Sequence, residues 1–351
     1  MTLEEPRSLR LTNKYSDCGK DSAIKFMRRD AKDGLKHGQR VSDAFHLADF
    51  FVDNTADRNS RDWDVAEVLS RLIKIVLRDN IVRPKMAETA MHDAFSASLR
   101  SACLSRQVGA AIINSKGELI ATGTNEVPMA GGGVYGKPST KSDEPEAKHD
   151  HRCAFTNKFC SNTREQIKIV NGLIEEIPEL SAATGERKFT LPQDLRSSRI
   201  GDLIEFSRAV HAEMDALLSV GRTGGTTLGT SVYVTTYPCH YCARHLVSAG
   251  VDRVEYIEPY PKSQATALHS DSITEDSINW LPPSAGGKKV LFTPFVGVAP
   301  RMYRRAFFKD GELKNSVTGD MQPISADWGT PWHLRSAAYY ELELEISRAK
   351  T

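Results

Sequence analysis

Ser231-Val232-Tyr233-Val234-Thr235-Thr236-Tyr237-Pro238-Cys239-His240-Tyr241-Cys242 decides how the rest of the chain is read. The run from Ser231 to Thr236 is β-branched and aromatic, the composition of a buried strand. Pro238 then suits the first position of a new helix, where a missing N–H is no loss. Cys239 and Cys242, three apart on that helix, share a face and can reach one metal ion. A third soft ligand lies 28 positions before Cys239, in His211-Ala212-Glu213. Phe206, Val210, Met214, Leu217 and Leu218 around it recur at helical spacing, so His211 and Glu213 are expected near the start of one amphipathic helix.

Three protein ligands leave one position of a tetrahedral zinc ion open to water, which is the arrangement of a catalytic site. Glu213 adds a carboxylate that holds no metal. Zinc lowers the pKa of bound water to roughly 7, and a carboxylate within reach can take the released proton and hand it on. A structural zinc ribbon would instead need a fourth Cys or His nearby. His240 lies between the two cysteines and is expected to point away from their shared face, and His245 lies one turn beyond Cys242.

Outward from this centre the pattern alternates. Lys85 to Leu104 has helical spacing, and Val108 to Ile113 and Leu119 to Thr124 read as strands joined by a turn at Ser115-Lys116-Gly117, a hairpin by its turn chemistry. After the His211 helix and the strand 231–236 come the Cys239 helix, strands at Val251 to Ile257 and Lys289 to Phe295, and a helix at Pro300 to Phe308. Alternation of this kind predicts parallel crossovers in a three-layer α-β-α sandwich of the α/β class. An insertion of about eighty residues, 127–205, separates the second strand from His211. Structureless loops of that length are rare in compact domains, so it is expected to fold, with a helix at Thr163 to Ile177, and to stand beside the pocket mouth as a lid or specificity element. It also carries His149, His151, Cys153 and Cys160, a spacing that suits a second, structural zinc.

Composition narrows the class further. The chain has 351 residues, 40% hydrophobic and 26% charged, with a formal charge of +1. That balance gives no electrostatic argument for a nucleic-acid partner. Six irregularly spaced cysteines do not make a disulfide framework, and a cytoplasmic, reducing setting is expected. No apolar run suggests a membrane partner. Gly19-Lys20 is followed by Asp21 and lacks the upstream glycine of a phosphate-binding loop, which excludes a P-loop kinase site. The expected organisation is 1–61 as an N-terminal region without a P-loop, 62–310 as the zinc domain, and 311–351 as a C-terminal extension suited to packing or oligomer contacts.

Five stations resemble the deoxycytidylate deaminase branch of the cytidine deaminase-like superfamily: Ser105-Arg106-Gln107-Val108-Gly109-Ala110, Gly123-Thr124-Asn125, His211-Ala212-Glu213, Pro238-Cys239-His240-Tyr241-Cys242, and Tyr256 to Tyr260. Glu258 to Ser263, His269-Ser270-Asp271 and Phe295 to Pro300 look, more narrowly, like bacterial anti-phage dCTP/dCMP deaminases, in which a kinase-like P-loop domain precedes the deaminase. Arg29 to Asn54 looks like the closing part of that kinase-like domain, which in this chain has no phosphate-binding loop.

The resemblance implies zinc-dependent deamination of dCMP or dCTP, with dCTP depletion as an anti-phage role. It implies that Asn125 binds the sugar hydroxyl and that the Ala212 amide meets the pyrimidine carbonyl. Tyr260 joins the substrate site, and Arg106 and Lys262 are the candidates for phosphate contact. A structural zinc on His149, His151 and Cys153 gains support from it. Expected partners are free deoxycytidine nucleotides, further copies of the chain, and a regulatory nucleotide or RNA. The competing readings are a polynucleotide cytidine deaminase, which needs a basic groove and stacking aromatics, and a non-catalytic zinc interaction module, which leaves Glu213 unexplained.

Overall fold

The computed structural model describes residues 10–13, 19–31, 41–54, 65–78, 81–135, 159–309 and 312–322. In chain order the helices are α1 (Lys20–Ala31), α2 (Val65–Leu77), α3 (Met86–Ser98), α4 (Ser161–Glu176), α5 (Pro178–Ser181), α6 (Glu186–Ser197), α7 (Ala212–Arg222), α8 (His240–Ser248), α9 (Ala265–Leu268) and α10 (Pro300–Phe307). The strands are β1 (Phe50–Phe51), β2 (Gly109–Ile113), β3 (Leu119–Thr124), β4 (Ser231–Thr236), β5 (Arg253–Glu258), β6 (Ile273–Thr274), β7 (Val290–Pro294) and β8 (Gly297–Val298).

Six strands form the central sheet in the order β3-β2-β4-β5-β7-β6. β2 pairs antiparallel with β3 and with β4, and from β4 onward the pairing is parallel. The hairpin turn is held by the Asn114 side chain, whose oxygen accepts from the amides of Lys116 and Glu118. Alternate residues of β2 and β4 divide between the two faces, as the period of two requires. Ala110, Ile112, Val232 and Val234 pack with Ala212, Ala216 and Leu246 of α7 and α8. Ala111, Ile113 and Tyr233 pack with Ala90, Met91 and Ala94 of α3, together with Phe51 and Phe295. The sheet is therefore enclosed between two helical layers, the expected sandwich. Two glycines bring those layers close: a Cβ on Gly109 would stand 1.8 Å from the Ala94 carbonyl oxygen, and one on Gly123 would stand 2.1 Å from that of Ala212.

Several boundaries differ from the sequence expectation. α3 ends at Ser98 and does not reach Leu104, because Leu99 and Leu104 find nothing to pack on and stay exposed. β5 begins at Arg253 and not at Val251. β6 was not expected; two residues are too few to show a period. Within the insertion α4, α5 and α6 do form, with α4 close to the predicted helix.

The N-terminal side packs on the α3 layer. β1 pairs antiparallel with β8, and the Phe51 ring meets that of Phe295 edge-on at 6.1 Å. Fully buried Glu88 accepts from Arg71 at 2.6 and 2.8 Å, from the Lys85 amide at 2.6 Å and from the Val298 amide at 2.9 Å. Those bonds join α2, α3 and β8, and the Phe45 and Phe51 contacts cross the boundary drawn at residue 61. The expected helix at Ser336 to Ala349 lies outside the described residues. Among the described residues no helix is long and apolar enough to cross a membrane.

Candidate active site

Both ligand-bearing segments end in the same local device. His211 is the N-cap of α7 and Cys239 the N-cap of α8, each with extended backbone (φ −75°, ψ 156° and φ −67°, ψ 163°). Phe206 and Val210 therefore lie ahead of the helix and not on its apolar stripe, since the helix begins only after His211. Pro238 likewise precedes the cap and does not occupy the first helical position. At Cys239 the thiol accepts the orphan amide of Cys242 at 3.5 Å, a capping bond. Two helix N-termini thus face the cluster, and their partial positive charge favours thiolates there.

His211 Nδ1 lies 3.3 Å from Cys239 Sγ and 3.5 Å from Cys242 Sγ, and the three ligand atoms sit within 4.8 Å of one another. One nitrogen and two sulfurs at that spacing fit a tetrahedral zinc with a fourth position left open. Neither neighbouring histidine closes it: the His240 ring lies 4.9 Å from that of Tyr241, and His245 Nδ1 lies 2.5 Å from the Tyr241 carbonyl oxygen. Without metal, the hydrogen bond with Cys239 pushes His211 up to about 9. Hydrogen bonds from Cys242 and then His211 bring Cys239 down to about 4 against its burial. The bond to that thiolate, together with burial, holds the Cys242 thiol well above the ordinary range.

Glu213, 4% exposed, stands two residues after His211 in the first turn of α7. Burial, reinforced by the Cys239 charge, raises its carboxyl to about 7 and outweighs the opposing pull of His211. A carboxyl in that range takes and gives a proton near neutrality with little bias either way.

His211, Cys239 and Glu213 line one cavity of about 410 Å³, which also reaches the N-terminal end of α4 in the insertion and the 204–209 segment leading to His211. Asn125, Ala212, Arg106, Tyr260 and Lys262 all line it. Asn125 binds main chain from both ends of its amide, accepting from Val108 N and donating to Arg106 O, each at 2.7 Å. Arg106 pairs with Glu258 at 3.5 Å and lies 6.0 Å over the Tyr260 ring. Lys262 reaches the insertion, pairing with Asp202 at 2.8 Å and donating to Gly201 O at 3.2 Å.

His149, His151 and Cys153 lie outside the described residues. Cys160 is the N-cap of α4, where its sulfur accepts from Thr163 N at 3.4 Å. The sequence reading passed over Arg164, Arg208 and Glu126, which also line the cavity. No motif or periodic pattern in the sequence marks any of them.

The sequence matches the family described as the cytidine and deoxycytidylate deaminase zinc-binding region over residues 84–258. Deoxycytidylate deaminase of Enterobacteria phage T2 is 30% identical over 180 residues, which are 51% of this chain and 82% of that protein. The corresponding enzyme of Enterobacteria phage T4 is 29% identical over 185 residues, 51% of this chain and 80% of that protein. Among solved structures, dCMP deaminase of cyanophage S-TIM5 in complex with dCMP and dUMP aligns with 61% of this chain and 99% of its own, at 17% identity and a TM-score of 0.32.

Proposed function

The chain belongs to the zinc-binding cytidine and deoxycytidylate deaminase family and is a hydrolase of that family, and from that premise we propose that it hydrolyses the amino group of a free deoxycytidine nucleotide, releasing ammonia and leaving a deoxyuridine nucleotide. The observation that carries this reading is buried Glu213 beside a three-donor cluster on the wall of a nucleotide-sized cavity with Arg106 and Lys262 in its lining.

His211, Cys239 and Cys242 hold the zinc, which when bound activates the hydrolytic water. Glu213 takes one proton of that water and delivers it to the ring nitrogen, then takes the remaining hydroxyl proton from the attacked carbon and delivers it to the amine, which leaves as ammonia as the carbonyl forms. The Ala212 amide, at the first position of α7, is an orphan helix donor and suits the pyrimidine carbonyl. Asn125 spends one amide hydrogen and one lone pair on main chain, and its second hydrogen and lone pair suit a sugar hydroxyl. Arg106 and Lys262 take the phosphate.

A free nucleotide is favoured over a polynucleotide because the insertion supplies a wall of this cavity, with Cys160, Ser161 and Asn162 lining it. A continuing strand needs an open channel at that place. Depletion of dCTP as an anti-phage role rests on the sequence resemblance alone and is proposed on that ground. The test is ammonia release from dCMP, dCTP, CMP, deoxycytidine and a single-stranded DNA oligonucleotide in one panel. Turnover of dCMP or dCTP with little from the oligonucleotide is expected. Equal rates on oligonucleotide cytosines, or no ammonia from any deoxycytidine compound, would overturn the reading.

A further inference from the structure

Glu126 is 2% exposed, and its main chain and side chain hold different parts of the cavity. Its main chain forms a two-way bridge with Val210, donating at 3.2 Å and accepting at 2.9 Å, one residue ahead of the ligand His211. Its carboxylate accepts from the Ala102 amide at 2.7 Å and from the Val127 amide at 2.8 Å. Ala102 belongs to the segment 99–108, which contains no helix or strand and carries Arg106 into the cavity. Such a segment takes its shape from whatever satisfies its main-chain groups. Here that role falls to Asn125, Glu126, Ser101 and Gln107: beyond the Glu126 and Asn125 side-chain bonds, Ser101 Oγ donates to the Asn125 carbonyl at 2.6 Å and accepts from the Cys103 amide at 3.1 Å, and Gln107 Nε2 donates to the Ser101 carbonyl at 2.8 Å.

We propose that Glu126 is a positioning residue that fixes the Arg106 segment relative to the His211 segment, so that the phosphate end and the reacting ring of the nucleotide are held at one separation. This inference rests on the functional reading above and adds to it a specificity element on neither the metal nor the phosphate. Glu126 touches no reacting atom. It acts through the two segments it joins: displacing the Arg106 segment removes phosphate contact from the ground state and the transition state alike, which raises KM more than it lowers kcat.

Each of the two Glu126 side-chain oxygens accepts from one main-chain amide, whereas a glutamine of the same shape must turn a donor toward one of them. Glu126→Gln is therefore a near-isosteric test. With the better of dCMP and dCTP as substrate, the variant is expected to keep the zinc content of the wild type and to raise KM at least tenfold, with the larger share of the loss in KM and not in kcat. Ser101→Ala, which removes a neighbouring tie of the same segment, is expected to move KM the same way by a smaller factor and covers the case in which Glu126→Gln does not fold. Unchanged KM in the variants that fold, or a loss confined to kcat, would overturn the proposal. Activity of the wild type tests the functional reading by itself, and the ratio of variant to wild type tests Glu126.

Discussion

The metal end of the cavity and its cationic rim are built in different ways. His211 and Cys239 cap two helices packed on one face of the sheet, and Cys242 lies in the first turn of the second, so regular structure places all three. Arg106 and Lys262 lie on segments without helix or strand, held by scattered side-chain bonds, and each already pairs with a carboxylate, Glu258 and Asp202. The metal ligands thus sit on the rigid frame, while the proposed phosphate contacts lie on segments that the sheet does not fix.

The sharpest way to break that contrast is to remove a metal ligand. Cys242→Ser is expected to lose its zinc and all measurable activity together, with a lower Tm, as read by metal analysis and thermal unfolding. Full zinc occupancy in the variant would remove Cys242 from the site. The metal-free protein offers a related test of sign. His211, raised to about 9, and Cys242, raised above the ordinary thiol range, both carry their protons at pH 7. Zinc must displace them, so uptake at pH 7 is expected to release about two protons and apparent affinity to weaken as pH falls. Calorimetry in buffers of differing ionisation enthalpy measures the count, and release of none would contradict it.

Glu213→Ala stands next in size. It is expected to cost about 10²- to 10⁴-fold in kcat, the usual worth of a positioned acid or base, with zinc content unchanged, because the carboxylate handles protons and holds no metal. High residual turnover with full zinc would remove it from the proton path.

At the rim the effects should be smaller and confined to phosphorylated substrate. Arg106→Ala is expected to raise KM roughly tenfold, the value of one charged hydrogen bond. Lys262→Ala is expected to raise it only about two- to fivefold, since an exposed ion pair contributes little and part of the Lys262 charge is already spent on Asp202. Asp202→Asn frees that lysine and is expected to lower KM. Losses at Arg106 and Lys262 as large as that at Glu213, measured by steady-state kinetics, would erase the distinction between the two ends.

Periodicity explains why the sheet could be read in advance. Ser231 to Thr236 and Gly109 to Ile113 are continuous apolar or β-branched runs because both faces of each strand are buried, and the structure places them close to where their composition predicts. Helix starts were read less well. His211 and Cys239 are caps, and a cap is set by the backbone angle of a single residue, which leaves no repeat in the sequence. β6 was missed for the same reason, having two residues. At the site, the ligands and Glu213 were legible because zinc chemistry demands particular residue types at short spacing. Glu126 was not, since its role depends on partners at Ala102 and Val210, far away in sequence.

What the sequence by itself determined is the donor set, the carboxylate beside it and the alternation that builds a sandwich, because each depends on residue type and local spacing. Only the tertiary structure decided that Lys262 is tied to Asp202, that Glu126 is buried between two walls of the cavity, and that the insertion lines its mouth. Those outcomes follow from pairing between groups tens of residues apart, where the free energy of burial and hydrogen bonding selects partners that no local pattern specifies.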